Sequence, residues 1–184
     1  MTTATLLLER LGALIQQSIR QDAAQHGLLP IHVQILHYLA HANHYSDIPI
    51  AVADYFGITR GTVSQSLALL ERKGLLVKHA DPAHGKRIHM QLTPAAESIL
   101  EQRWAQTLET SLAAPVLEQA LRDVLLALQR QNGQRAFGIC HECAHFLKEG
   151  PDHYRCGLTR EPLAVAQTVR ICREWKNPKH AEPA

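Results

Sequence analysis

Ile50-Ala51-Val52-Ala53-Asp54-Tyr55-Phe56-Gly57-Ile58-Thr59-Arg60-Gly61-Thr62-Val63-Ser64-Gln65-Ser66-Leu67-Ala68-Leu69-Leu70-Glu71-Arg72-Lys73-Gly74 is the stretch that decides the fold. Small and apolar residues recur at helical spacing from Ile50 to Phe56, and Gly57 supplies the permissive backbone at which a helix stops. Ile58 can fill the angle between two helices. Thr59 offers a hydroxyl N-cap to a second helix running from Arg60 to Lys73, which Gly74 ends. Val63, Leu67 and Leu70 fall at i, i+4 and i+7 and form its buried stripe. The opposite face carries Arg60, Thr62, Ser64 and Gln65 near the N-terminus, the end that reaches base edges when a helix-turn-helix enters the major groove. An ordinary amphipathic helix with a solvated face is the plain alternative for this segment alone.

The residues that follow favour DNA. Leu75–His79 and Arg87–Leu92 read as short strands joined by the turn formers of residues 80–86, which makes a hairpin wing. Its tip presents Lys86 and Arg87, able to neutralise phosphates or enter a minor groove. Between Arg60 and Arg87 the bases Arg60, Arg72, Lys73, Lys78, Lys86 and Arg87 face only the acids Glu71 and Asp81. That surplus is local, because the whole chain has a formal net charge of +2.

Four segments together resemble successive motifs of the MarR family of bacterial transcription regulators. They are Thr59-Arg60-Gly61-Thr62-Val63-Ser64-Gln65, Leu70-Glu71-Arg72-Lys73-Gly74-Leu75-Leu76, Asp81-Pro82 through Lys86-Arg87, and Leu92-Thr93-Pro94. The resemblance covers about residues 6 to 130 and implies a winged-helix homodimer on a pseudo-palindromic operator of double-stranded DNA. It assigns recognition-helix positions to Arg60, Thr62, Ser64 and Gln65 and the wing arginine to Arg87. The wing departs from the charged tip usual in that family, with His84-Gly85 before Lys86-Arg87.

The expected fold class is therefore mainly α with a small β-hairpin wing (α+β), a winged helix-turn-helix with a helical dimerisation region. A chain of 184 residues with 46% hydrophobic content can bury a real core. It reads as a winged domain with dimerisation helices over residues 1–132 and an extension over 133–184. The N-terminus has no secretory pattern and no apolar run is long enough to span a bilayer, so a cytoplasmic protein without a membrane partner is expected. Leu6, Leu7, Leu8, Leu11, Leu14 and Ile15 form an apolar helical stripe. A break at Gly27-Leu28-Leu29-Pro30 precedes a helix from Ile31 to Asn43. Pro94 opens a helix to about Leu112, and Pro115 another to about Gln131. Leu117, Leu121, Val124, Leu125 and Leu128 line one side of the last helix, a stripe that calls for a partner chain. Packing within one protomer is the alternative. A small-molecule effector between the domains is compatible with the sequence.

The extension holds all four cysteines, spaced Cys140-x2-Cys143-x12-Cys156-x15-Cys172. In a reducing cytosol, four thiols in one short segment read as metal ligands rather than disulfides. Zinc ribbons present two close pairs, whereas only the first pair is close here, which favours an iron–sulfur cluster over zinc. Free or redox-active thiols are the third reading. His141-Glu142-Cys143-Ala144-His145 also fits H-E-x-x-H, which on a helix would hold zinc and a general base and make the chain a metallohydrolase. The nearby thiols compete for that metal and a DNA-binding pattern fills most of the chain, so no enzyme is expected. His141 or His145 can instead replace a cysteine as ligand. His84, His89 and His153 read as solvated or packing residues.

Overall fold

A computed structural model describes residues 2–81, 87–100 and 115–178. Helix α1 (Thr3–Gln25) starts where the Thr2 hydroxyl accepts the Thr5 N–H at 3.3 Å. It ends at Gly27, whose φ of 59° is open to glycine at little cost. Pro30 opens α2 (Pro30–His41), where its missing N–H costs no hydrogen bond. Val33, Ile35, Leu36, Tyr38 and Leu39 of α2 are the centre of the main core.

Helices α3 (Pro49–Phe56) and α4 (Arg60–Arg72) form the expected helix-turn-helix. Gly57 is left-handed, with φ 63° and ψ 32°, and caps α3 by donating its N–H to Ala53 O. Ile58 packs against the main core from the turn, as the sequence suggests. Val63, Leu67 and Leu70 are the buried face of α4, at 1%, 2% and 0% exposure. Strands β1 (Leu76–Ala80) and β2 (Ile88–Leu92) pair antiparallel from Leu76 opposite Leu92 to Ala80 opposite Ile88, which is the wing. Its base is tied to the helices by Met90 N–H donating to Asp47 O at 2.8 Å and the Thr93 hydroxyl donating to Gly74 O at 2.7 Å.

The helix expected from Pro94 to about Leu112 is shorter. Helix α5 spans Pro94–Glu97, then Ile99 and Leu100 donate to carbonyls only three residues back. Ser98 Oγ donates to Ala95 O, a local bond that competes with helix continuation. Residues 101–112 of that expected helix lie outside the described residues. Helix α6 (Pro115–Gln131) has the expected bounds.

The chain beyond α6 folds into small antiparallel pieces. Strand β3 (Gly138–Ile139) pairs with β7 (Ile171–Cys172), and β4 (Phe146–Gly150), β5 (His153–Cys156) and β6 (Pro162–Leu163) form a three-stranded sheet. A single 3₁₀ turn covers Cys140–Glu142, and the short helix α7 spans Val165–Thr168. Tyr45, Cys140, Leu163, Cys172 and Trp175 make a second core beneath these pieces, with Phe146 and Tyr154 packed on it. Gly138 lies under the Trp175 ring, where a Cβ would stand 2.4 Å from ring carbon. Only glycine lets β3 run that close to the indole.

Candidate DNA-binding face and cysteine cluster

The N-terminal half of α4 presents the face read from the sequence. Thr59, Arg60, Thr62, Ser64 and Gln65 are all exposed, while Val63, Ser66 and Leu67 point inward. The Thr59 hydroxyl accepts the Thr62 N–H at 3.1 Å and lies 3.0 Å from the Thr62 hydroxyl. Its first role is thus to fix the start of α4, leaving Arg60, Ser64 and Gln65 as the long or free polar groups. The amides of the first turn also carry the positive end of the helix dipole, which suits a polyanion.

On the wing, Arg87 is half-exposed and stands 3.9 Å from Asp81. Lys86 lies outside the described residues. Lys78 is paired at 2.6 Å with Glu71 and contributes less to the basic surplus than its charge suggests. His89, expected to be solvated or simply packed, instead bridges two carboxylates. Its Nδ1 is 2.5 Å from Asp47 and its Nε2 3.4 Å from Asp81. Burial by itself would lower its pKa, but those two carboxylates outweigh it and hold it above the ordinary histidine value. Strand β2 is thereby latched to the turn before α3. No spacing rule pointed to this, because Asp47 lies 42 residues away in sequence.

All four cysteines are free thiols at the second core. Cys140 and Cys172 are buried, while Cys143 and Cys156 are half-buried. Cys143 closes the 3₁₀ turn through its N–H to Cys140 O at 3.1 Å, which makes the Cys-x-x-Cys pair one compact loop. Cys156 and Cys172 arrive at the ends of β5 and β7. Burial raises the Cys140 thiol to about 12, with the nearby Cys172, Cys143 and Cys156 adding to the shift. Backbone donors are already aimed at sulfur: the N–H groups of His145 and Lys176 reach Cys143 Sγ at 3.5 and 3.3 Å. The Glu174 N–H and the Asn43 side chain favour the charged form of Cys172, against a rise caused mainly by burial. Such donors stabilise thiolate. Among the described residues, no three His, Cys, Asp or Glu side chains stand in a group that would hold a metal ion.

The H-E-x-x-H reading loses its geometry. Residues 140–142 are a 3₁₀ turn and Cys143 is extended, so no α-helix puts His141 and His145 on one face. His141 Nδ1 bonds with Thr168 O at 3.0 Å. Glu142 is held by Arg122 of α6 at 2.8 Å instead of standing free as a base.

Fold and surface together define a winged helix-turn-helix protein with an added cysteine-bearing lobe. The comparisons agree with that class. Residues 26–87 match the model of the MarR family. The MarR regulator of Oenococcus oeni PSU-1 is similar in structure, with a TM-score of 0.57 at 16% identity over 71% of this chain and 99% of that one. The S. aureus MepR–DNA complex gives a TM-score of 0.51 at 23% identity, again over 71% of this chain and 99% of that one. These likenesses establish the fold. No curated protein matches the chain.

Proposed function

We propose that this protein is a DNA-binding transcription regulator of the MarR type, acting in the cytoplasm as a homodimer on a pseudo-palindromic operator and sensing metal or redox state through Cys140, Cys143, Cys156 and Cys172. The observation that carries the DNA reading is the exposed row Arg60, Thr62, Ser64 and Gln65 on a helix whose start is fixed by Thr59. Arg87, with Lys86 beside it in sequence, supplies the phosphate contacts of the wing. The match of residues 26–87 to the MarR family and the DNA-bound state of MepR support the same assignment.

Dimer formation is supported by apolar side chains left exposed among the described residues. Leu117, Leu121, Val124, Leu125 and Leu128 of α6 are 36–51% exposed, as are Leu8, Leu11 and Leu14 of α1 at 40–44%. Two copies would also space two recognition helices for half-sites about one DNA turn apart. A cleft of about 480 Å³ lined by Tyr55, Leu121, Leu125, Phe137 and Ile171 has the size and apolar character suited to a small-molecule effector.

The gathering of four thiols with backbone N–H groups aimed at sulfur supports a thiolate-bound centre, an iron–sulfur cluster or zinc. The test for DNA recognition is a titration of operator and scrambled duplexes, the operator obtained by selection from random DNA. Arg60→Ala should lose about 1–3 kcal/mol of specific binding, and Arg87→Ala should weaken both duplexes alike. Unchanged affinity in both variants would remove this face from the interface.

A further inference from the structure

The chain enters the cysteine lobe beside the recognition helix. Helix α6 ends in a Schellman turn, with Gln134 N–H donating to Gln129 O at 2.8 Å and Gly133 N–H to Arg130 O at 3.2 Å, which swings the next residues off the helix axis. They land against the turn between α3 and α4. A Cβ on Gly57 would stand 2.5 Å from Gln134 Nε2, so the approach is close. Asp54, Gly57, Thr59 and Arg60 from the helix-turn-helix and Gln134 and Arg135 from the extension then line a single groove of about 540 Å³.

The charges at this groove form a chain. Asp54 pairs with Arg173 at 2.9 Å, Arg173 stands 3.6 Å from Glu174, and Glu174 pairs with Arg135 at 3.0 Å. Asp54 is thus neutralised by Arg173, whose side chain is only 13% exposed, while Arg135 ends the chain with its side chain 49% exposed. An exposed ion pair of that kind typically contributes less than about 1 kcal/mol, so the Arg135 guanidinium can exchange a carboxylate for another oxyanion at little cost. Arg60 lines the same groove from the first turn of α4. In a helix-turn-helix the first helix crosses the sugar–phosphate backbone while the start of the second enters the major groove, so the surface beside the turn between them faces phosphate.

We infer that the sugar–phosphate backbone of duplex DNA seats along this groove, and that Arg135, a residue outside the winged domain, makes a phosphate contact there against which Glu174 competes. This rests on reading α4 as the recognition helix. Phosphate contacts fix position without reading bases, so the extension adds affinity and register to the DNA-binding face and leaves sequence choice to α4.

The experiment titrates the full chain with the selected duplex and its scrambled counterpart over a series of salt concentrations. Arg135→Gln should weaken both duplexes alike and reduce the slope of log affinity against log salt by about 1, the loss of one phosphate contact. Arg135→Lys should keep the slope, because a point charge is enough for that contact. Glu174→Gln should tighten both duplexes, since it releases Arg135. That sign separates a phosphate contact from a pair that only holds the lobe together. An unchanged slope in Arg135→Gln, with Arg60→Ala still losing specific binding, would overturn this contact and leave the recognition helix standing. Weaker binding in Glu174→Gln, or a loss in Arg135→Lys equal to that in Arg135→Gln, would give the pair to lobe folding and overturn the contact as well. No affinity of the unaltered protein for any duplex would overturn the DNA reading itself, and this inference with it.

Discussion

Thr59 is a residue whose work is local and whose loss should be visible without DNA. Its hydroxyl holds the first turn of α4, so Thr59→Ala should cost about 0.5–2 kcal/mol of stability, read as a lower midpoint in denaturant. A midpoint unchanged from the parent protein would mean that another group caps the helix. His89 makes a pH-dependent contribution. Burial lowers its pKa, but Asp47 and Asp81 outweigh that and hold it above the ordinary value. Stability from this latch is therefore fully present below about pH 6.5, the unfolded histidine value, and is lost as pH rises through the higher folded value. Melting temperatures measured from about pH 6 to pH 8.5 should fall more steeply in the parent protein than in His89→Gln. Parallel slopes in the two proteins would show that the bridge carries no linkage.

At the scale of elements, the most constrained contact is that of β3 with the loop after β7. Gly138→Ala would push a methyl into the Trp175 ring, where neither the strand nor the indole has room to move freely. The expected cost is about 1–3 kcal/mol, as for other overpacked cores. It should be confined to the lobe, seen as altered tryptophan emission and earlier proteolysis beyond Gly133 while residues 26–81 stay folded. Within α4, Leu67→Ala removes a side chain that is 2% exposed and should cost about 2–5 kcal/mol. Here the helix-turn-helix itself should melt early, so that the two variants divide the stability of the chain between its two cores. Coincident loss of both cores in either variant would show that they unfold as one unit.

For the whole molecule, the exposed apolar faces of α1 and α6 predict self-association. Sedimentation equilibrium at micromolar concentration should give twice the mass of one chain, and Leu121→Glu with Leu125→Glu should shift it toward the monomer. A monomeric parent protein would leave the half-site geometry without a basis. Much of this fold is legible in the sequence because its causes are local. Gly57 needs only its own backbone freedom, Thr59 needs an N–H three residues on, and Val63, Leu67 and Leu70 need only the helical repeat. The confinement of four cysteines to residues 140–172 likewise marks their region without any knowledge of the fold. What no local pattern carries is the joining of distant charges and amides. Arg173 meets Asp54 across 119 positions, Arg173 N–H meets Ser46 across 127, and Asn43 N–H meets Ile171 O only once the lobe is seated. The H-E-x-x-H pattern misleads for the same reason, since spacing implies a shared helical face and tertiary packing drew that segment into a 3₁₀ turn instead. Sequence by itself determined the helix-turn-helix, the wing and the polar face, because those follow from propensities and periodicities within a few residues. Tertiary structure alone decided how the cysteine lobe seats on the turn before α3, because that seating is a sum of long-range contacts, each of which exists only once both surfaces are formed.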